Sequence, residues 1–275
     1  MPKRKTAIGV FDSGYGGLTV LDSLRAELPE YDYIYLGDNA RAPYGTRSFE
    51  VVLEYTWQGV KALFDLGCEL VILACNTASA KALRTIQQIK LVDYPGKRVL
   101  GMIRPTAEVV GNYSSRKEIG IFATEGTVKS ESYKIEIAHF FPALKVFQKA
   151  CPLWVPLVEN NDFASDEGRS LIKRDVEQFF SVHPNVDTVV LACTHYPILI
   201  PVLVDYIPKG VKLISQGEIV AKALKAYLLR HTWLVKQIGT GKKITYLTTE
   251  QPETFKASVE LIFHKHIKVK QITLF

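Results

Sequence analysis

Short apolar runs rich in β-branched residues recur at 7–11, 33–36, 69–74, 97–103, 118–122, 145–148, 186–192 and 211–214. Each has the length of a strand, and most of the segments between them carry helical spacing. Val51, Val52, Tyr55, Val60, Leu63 and Phe64 form one such apolar stripe, and Val176, Phe179 and Phe180 form another. Each stripe marks the face of a helix packed on a sheet. Strand alternating with helix predicts an α/β fold with mainly parallel sheets. Leu70–Ala74 and Val189–Ala192 are apolar throughout rather than alternating, as expected of strands in a sheet covered on both faces.

Two of the runs are near-copies. Leu-Val-Ile-Leu-Ala-Cys-Asn-Thr at 70–77 is matched by Thr-Val-Val-Leu-Ala-Cys-Thr-His at 188–195, and Ile-Gly-Val-Phe at 8–11 by Ile-Gly-Ile-Phe at 119–122. The separations are similar: Ile8 to Cys75 is 67 positions and Ile119 to Cys193 is 74. The repeat predicts two similar α/β domains related by pseudo-twofold symmetry, with the active site in the cleft between them. The expected division is 1–100 plus 214–275 for the first domain and 101–213 for the second. The C-terminal stretch is assigned to the first because its helices and Ile244–Leu247 would make a poor core alone.

Composition narrows the class. The 275 residues, 47% of them apolar, can supply one large core or two modest ones. No run approaches the ~20 apolar residues of a membrane span. The basic opening Met-Pro-Lys-Arg-Lys-Thr leads into a short apolar stretch that reaches Asp12 at once, unlike a signal peptide, so the expected location is the cytoplasm. There, Cys68, Cys75, Cys151 and Cys193 are expected to be free thiols. The net charge of +6 comes from scattered lysines with no dense basic stripe, so nucleic acid is not an expected partner.

In open α/β sheets ligands collect at the carboxyl ends of strands. Four such ends carry chemistry: Asp12–Gly17, Gly37–Gly45 and the two cysteine phrases. A lone cysteine at a strand end is ordinarily a small buried hydrophobe. Two in matching contexts, each before an expected helix start that Asn76-Thr77 or Thr194 would cap, point to reactive thiols whose thiolate form the helix end favours. Asp12 would hold or receive a proton beside Cys75. His195 stands two residues after Cys193, which in extended geometry puts both side chains on one side. A zinc site is disfavoured, because no Cys-x2-Cys or His-x3-His spacing accompanies Cys193-x-His195. Both glycine motifs fail as nucleotide signatures: Gly14-x-Gly16-Gly17 has Thr19 at its third glycine position, and Gly239-Thr240-Gly241-Lys242 is followed by Lys243 where Ser or Thr is required.

Opposed thiols suit proton exchange at a carbon centre, one face losing its proton to a thiolate while the other receives one from a thiol. Inversion of an amino acid's α-carbon fits. Its α-proton is weakly acidic, so the site must be dry and rich in donors for the substrate carboxylates. Ser13, Tyr44, Gly45, Asn76, Thr77, Thr124, Thr127 and Thr194 would form that polar cradle.

FDSGYGGLTV at 11–20, GDNARAPYG at 37–45, ACNTASA at 74–80, TEGTVKS at 124–130 and ACTHYP at 192–197 resemble, in order, the motifs of the bacterial glutamate racemases, within the cofactor-independent aspartate/glutamate racemase superfamily. The resemblance spans about the first 220 residues. It implies interconversion of L- and D-glutamate, the D form serving peptidoglycan synthesis, with no pyridoxal phosphate or other cofactor and no metal. By position, Cys75 would act on D-glutamate with help from Asp12. Cys193 would act on L-glutamate with help from His195 and a further carboxylate, Glu159. Asp12, Ser13, Tyr44, Gly45, Asn76, Thr77, Thr124, Thr127, Thr194 and His195 match the family's substrate-binding positions. Family members pair in more than one way, so a homodimer is one expected arrangement.

Several positions depart from the pattern. Tyr15 replaces a small aliphatic residue, Asn39 a usual threonine, Arg104 and Thr106 flank a proline in unusual company, and Gln216 stands where an aspartate is often found. Members activated by a cell-wall precursor and binding gyrase carry an N-terminal extension. Six residues precede Ala7, and neither property is expected. Other readings weigh less. An aryl malonate decarboxylase needs one cysteine only, and His195 favours glutamate over aspartate. An amino-acid binder needs no paired thiols, and a redox sensor needs a resolving thiol within disulfide reach.

Overall fold

The computed structural model describes residues 6–275, so Met1–Lys5 of the basic opening lies outside the described residues. Among the described residues ten strands are formed: β1 (Ile8–Asp12), β2 (Tyr33–Gly37), β3 (Leu70–Leu73), β4 (Arg98–Leu100), β5 (Glu118–Ala123), β6 (Lys145–Ala150), β7 (Thr188–Ala192), β8 (Lys212–Ile214), β9 (Ile244–Thr248) and β10 (Val269–Gln271). They make a six-stranded sheet in the order β10-β9-β2-β1-β3-β4 and a four-stranded sheet in the order β6-β5-β7-β8. Every pairing is parallel.

The repeat read from sequence has a topological counterpart. β1 lies between β2 and β3 as β5 lies between β6 and β7, and β4 and β8 occupy the matching edges. Cys75 and Cys193 therefore follow equivalent strands. β9 and β10 extend only the first sheet, by pairing of β9 with β2.

Continuous apolarity in the central strands follows from burial on both faces. In β1, Ile8 and Val10 join the core on one side of the sheet, while Phe11 joins the core on the other. β7 repeats this, with Val189 and Leu191 on one side and Val190 and Ala192 on the other. The helices supply the covers. Phe49–Asp65 is capped by Ser48, whose side chain accepts from the Val51 amide, and it buries Val52, Val60, Leu63 and Phe64. Asp166–Val182, capped by Ser165, buries Ile172, Val176, Phe179 and Phe180.

The strand expected over 97–103 stops at Leu100, and a helix starts at Ile103. Pro105 sits in its first turn, where an amide would lack an intrahelical partner anyway, so the proline is compatible with a helix start. β10 has no counterpart in the sequence reading, because Val269–Gln271 is three residues long with only Val269 buried. Among the described residues no helix is long and apolar enough to cross a membrane.

Candidate active site

β1 delivers Asp12 to the end of the first sheet with no exposed surface. Its Oδ2 accepts from the Gly17 amide at 2.7 Å, and the Ser13 and Gly14 amides also hydrogen-bond to the carboxylate. Oδ1 has no hydrogen-bond partner among the described residues. Burial pushes this carboxyl above its usual range, against the opposing pull of the His195 charge and the three amides.

β3 ends just before Cys75, which is 5% exposed. The thiol itself caps the helix Asn76–Lys81, its Sγ accepting from the Ala78 amide at 3.4 Å, while Asn76 and Thr77 lie inside the helix rather than capping it. Ser13 Oγ lies 3.3 Å from the same sulfur. The expected thiolate is not favoured here. Burial and the Asp12 charge push the Cys75 thiol up to about 12, outweighing the Ser13 hydroxyl and the Ala78 amide. At neutral pH Cys75 is a thiol, and so an acid.

The other thiol has different company. No α-helix follows Cys193 directly; a turn leads into the short 3-10 segment Tyr196–Leu199. His195 folds back so that Nδ1 lies 3.9 Å from Cys193 Sγ, while Nε2 lies 3.0 Å from Glu159 Oε1. Glu159 arrives from the end of the helix Trp154–Glu159. Burial would lower the imidazole, but its bonds with Cys193 and Glu159 prevail and push it up to about 10. The two equivalent strand ends thus give their thiols unlike company, a hydroxyl and a buried carboxyl beside Cys75 and an imidazolium anchored by Glu159 beside Cys193.

This charge state has a measurable consequence. The folded value of about 10 for His195 exceeds the ordinary ~6.5, so its contribution to stability is complete below about pH 6.5 and disappears as pH rises through about 10. The difference in melting temperature between wild type and His195→Asn should shrink steadily over that interval. A pH-independent difference would show that His195 is not held as the cation.

Between the two units lies a cleft of about 150 Å³, the size of a small metabolite and below the ~300 Å³ at which drug-sized sites begin. Ser13, Tyr44, Gly45, Cys75, Asn76, Thr77, Thr124, Glu159, Cys193, Thr194 and His195 all line it. Asp12 and Thr127, expected among the substrate contacts, lie one layer back. Thr127 completes a hydroxyl cluster with Thr77 and Thr124, in which Thr77 Oγ1 and Thr124 Oγ1 are 2.9 Å apart. Tyr44 donates to Asp38, whose carboxylate is also bound by Arg41 and the Thr249 hydroxyl. The loop bearing Tyr44 crosses to the second sheet, where the Gly126 amide donates to the Gly45 carbonyl at 2.9 Å. Among the described residues no group of three or more His, Cys, Asp or Glu converges as metal ligands.

Three contributors escaped the sequence reading. Pro152, Val155 and Pro156 form the apolar wall. Gly16 approaches so closely that a Cβ there would lie 2.4 Å from Thr194 Oγ1 and 2.6 Å from His195 Nδ1. A glycine pattern tested only for nucleotide binding conceals that role. Gln216 is the third. It accepts from Asn76 Nδ2 at 2.8 Å and donates to Thr106 Oγ1 at 2.7 Å and to the Tyr133 hydroxyl at 2.6 Å, while Tyr133 donates to Asn76 Oδ1. Thr106 and Gln216 are thus bonded to each other, and Gln216 orients Asn76. Arg104 takes no part: it is exposed and paired with Glu108. Asn39 accepts from the Thr248 hydroxyl.

A model of the Asp/Glu/hydantoin racemase family matches residues 17–224, and the chain belongs to that family. It is 38% identical to the glutamate racemase of Dinoroseobacter shibae over 276 aligned residues, covering 97% of this chain and 98% of the relative. Among solved structures, the glutamate racemase isoform RacE1 of Bacillus anthracis matches with a TM-score of 0.88 at 30% identity, covering 98% of both chains. The glutamate racemase of Francisella tularensis subsp. tularensis, solved with D-glutamate, matches with a TM-score of 0.86 at 30% identity, again over 98% of both.

Proposed function

We propose that this chain is a cytoplasmic glutamate racemase, interconverting L- and D-glutamate by two-base proton transfer and supplying the D form for peptidoglycan synthesis. The observation that carries the reading is the pair of unlike acid–base units, Cys75 with Ser13 and Cys193 with His195, lining one small cleft from equivalent strand ends. Substrate glutamate is supported by the named relatives, which match nearly the whole chain. The lobes 1–100 with 214–275 and 101–213 would each carry one thiol.

In the direction from L to D, the Cys193 thiolate takes the α-proton while the His195 imidazolium, anchored by Glu159, holds the thiolate in place. The Cys75 thiol delivers its proton to the opposite face, leaving Cys75 as the thiolate and Cys193 as the thiol. The reverse reaction starts from that state. Carbanion character at the α-carbon places negative charge on the adjoining carboxylate. Hydroxyl donors of Ser13, Thr77, Thr124 and Thr194 in a water-poor cleft stabilise that charge more than water would. No step calls on a cofactor.

Incubation of the protein with L-glutamate and, separately, D-glutamate in heavy water tests this, with optical rotation and α-deuterium followed together. Both enantiomers should reach the racemate with deuterium at the α-carbon. Exchange of aspartate in place of glutamate would refute the substrate, and exchange of neither amino acid would refute the racemase reading.

A further inference from the structure

The loop Ser13–Gly17 touches both acid–base units. Ser13 meets Cys75 Sγ at 3.3 Å, and Gly16 packs on Thr194 and His195. At Gly14 a Cβ would lie 3.3 Å from Glu159 Oε1. One short loop therefore spaces the thiol of one sheet from the thiol of the other.

Among the hydrogen bonds that hold this loop are three of distinct origin. The Gly17 amide donates to Asp12 at 2.7 Å, and the Tyr35 hydroxyl donates to the Gly14 carbonyl at 2.8 Å; both bonds arise within the first sheet and its own loop. The third reaches elsewhere. Tyr15 donates its hydroxyl to Glu250 Oε1 at 2.6 Å, in the turn between β9 and the helix Pro252–Phe263. The Tyr15 ring is 8% exposed and lies against Phe255 of that helix, centroids 5.3 Å apart, with Ser258 within hydrogen-bond reach of its hydroxyl. The same helix packs against Trp154–Glu159, which carries Glu159.

Tyr15 is long enough to bridge from the loop to the C-terminal segment. A small side chain could not reach Glu250. The surroundings make the bond consequential: burial, with a smaller contribution from the Glu159 charge, raises the Glu250 carboxyl, while the Tyr15 hydroxyl opposes that rise.

We propose that Tyr15 and Glu250 are positioning residues, through which the C-terminal segment fixes the Ser13–Gly17 loop as a common spacer for both thiol units. This rests on the racemase reading. Neither residue lines the cleft, so their loss should act on the chemical step more than on substrate affinity.

The test compares Tyr15→Phe, Glu250→Ala, Glu250→Gln and the Tyr15→Phe/Glu250→Ala double variant, assayed well below the lowest melting temperature of the set. Tyr15→Phe should lower kcat about tenfold in both directions with KM changed by less than about twofold, since small displacements at reacting atoms are costly. Glu250→Ala should match it, and the double variant should be no worse than either single, because the two remove one interaction. Glu250→Gln keeps an acceptor for Tyr15 and should restore most of the loss. Losses that multiply in the double variant, or a lowered melting temperature with kcat unchanged, would overturn the proposal. Should wild type racemise nothing, the functional reading fails separately. The alkylation rates of Cys75 and Cys193, resolved by peptide mass, then decide the positioning role: both should change in Tyr15→Phe, and no change at either thiol would overturn it.

Discussion

Cys75→Ser and Cys193→Ser are each expected to lose at least about a thousandfold of the racemisation rate, because a positioned acid or base contributes roughly 10²–10⁴ and the serine hydroxyl is far too weak an acid to replace either thiol. The loss in kcat/KM must be equal in the two directions. The enantiomers are equally stable, so the ratio of forward to reverse kcat/KM is fixed at unity for every variant. The asymmetry should appear instead in isotope exchange. With Cys193 and His195 intact, Cys75→Ser should still place solvent deuterium at the α-carbon of L-glutamate without inverting it. Cys193→Ser should do the same for D-glutamate alone. Near-normal racemisation by either variant would end the two-base assignment, and exchange of D-glutamate by Cys75→Ser with exchange of L-glutamate by Cys193→Ser would reverse the assignment of faces.

Asp12→Asn should cost about 10²–10³ in kcat in both directions with a much smaller change in KM. The carboxylate lies behind Ser13 and does not line the cleft, and asparagine keeps an acceptor oxygen for the Gly17, Ser13 and Gly14 amides, so the fold should survive. What disappears is charge. Asp12 raises the Cys75 thiol and its charge couples to His195, so it links the two units electrostatically. The sign is testable without substrate: removing the charge should lower the Cys75 value from about 12, making alkylation of Cys75 at a given pH faster in the variant. Unchanged alkylation would mean that Asp12 carries no charge in the free protein. A kcat within about threefold of wild type would remove Asp12 from the chemistry.

Much of the frame was legible in the chain because it depends on local periodicity. The near-copies at 8–11 and 119–122 become the central strands β1 and β5, and the two Leu-Ala-Cys phrases become the ends of equivalent strands. β10 was not legible, since a short edge strand carries too few buried positions to leave a pattern. The helix from Ile103 was hidden because a proline reads as a break until its place in the first turn is known.

The site divides in the same way. Sequence by itself determined which residues could carry chemistry, because strand ends in a parallel sheet collect functional groups: Asp12, Cys75, Cys193 and His195 all fall there. Only the tertiary structure decided what state those groups adopt. Proximity to a short helix pointed to a Cys75 thiolate, yet burial, which depends on everything packed around the sulfur, makes it a thiol. His195 becomes a cation through its bonds with Cys193, two positions before it, and with Glu159, 36 positions earlier in the chain. Tyr15 meets Glu250 across 235 positions, and Asn76 meets Gln216 across 140. No local pattern encodes such pairings, since they are set by how two sheets and a C-terminal segment pack together. Desolvation and charge, the forces that distinguish one thiol from the other, act only once that packing exists.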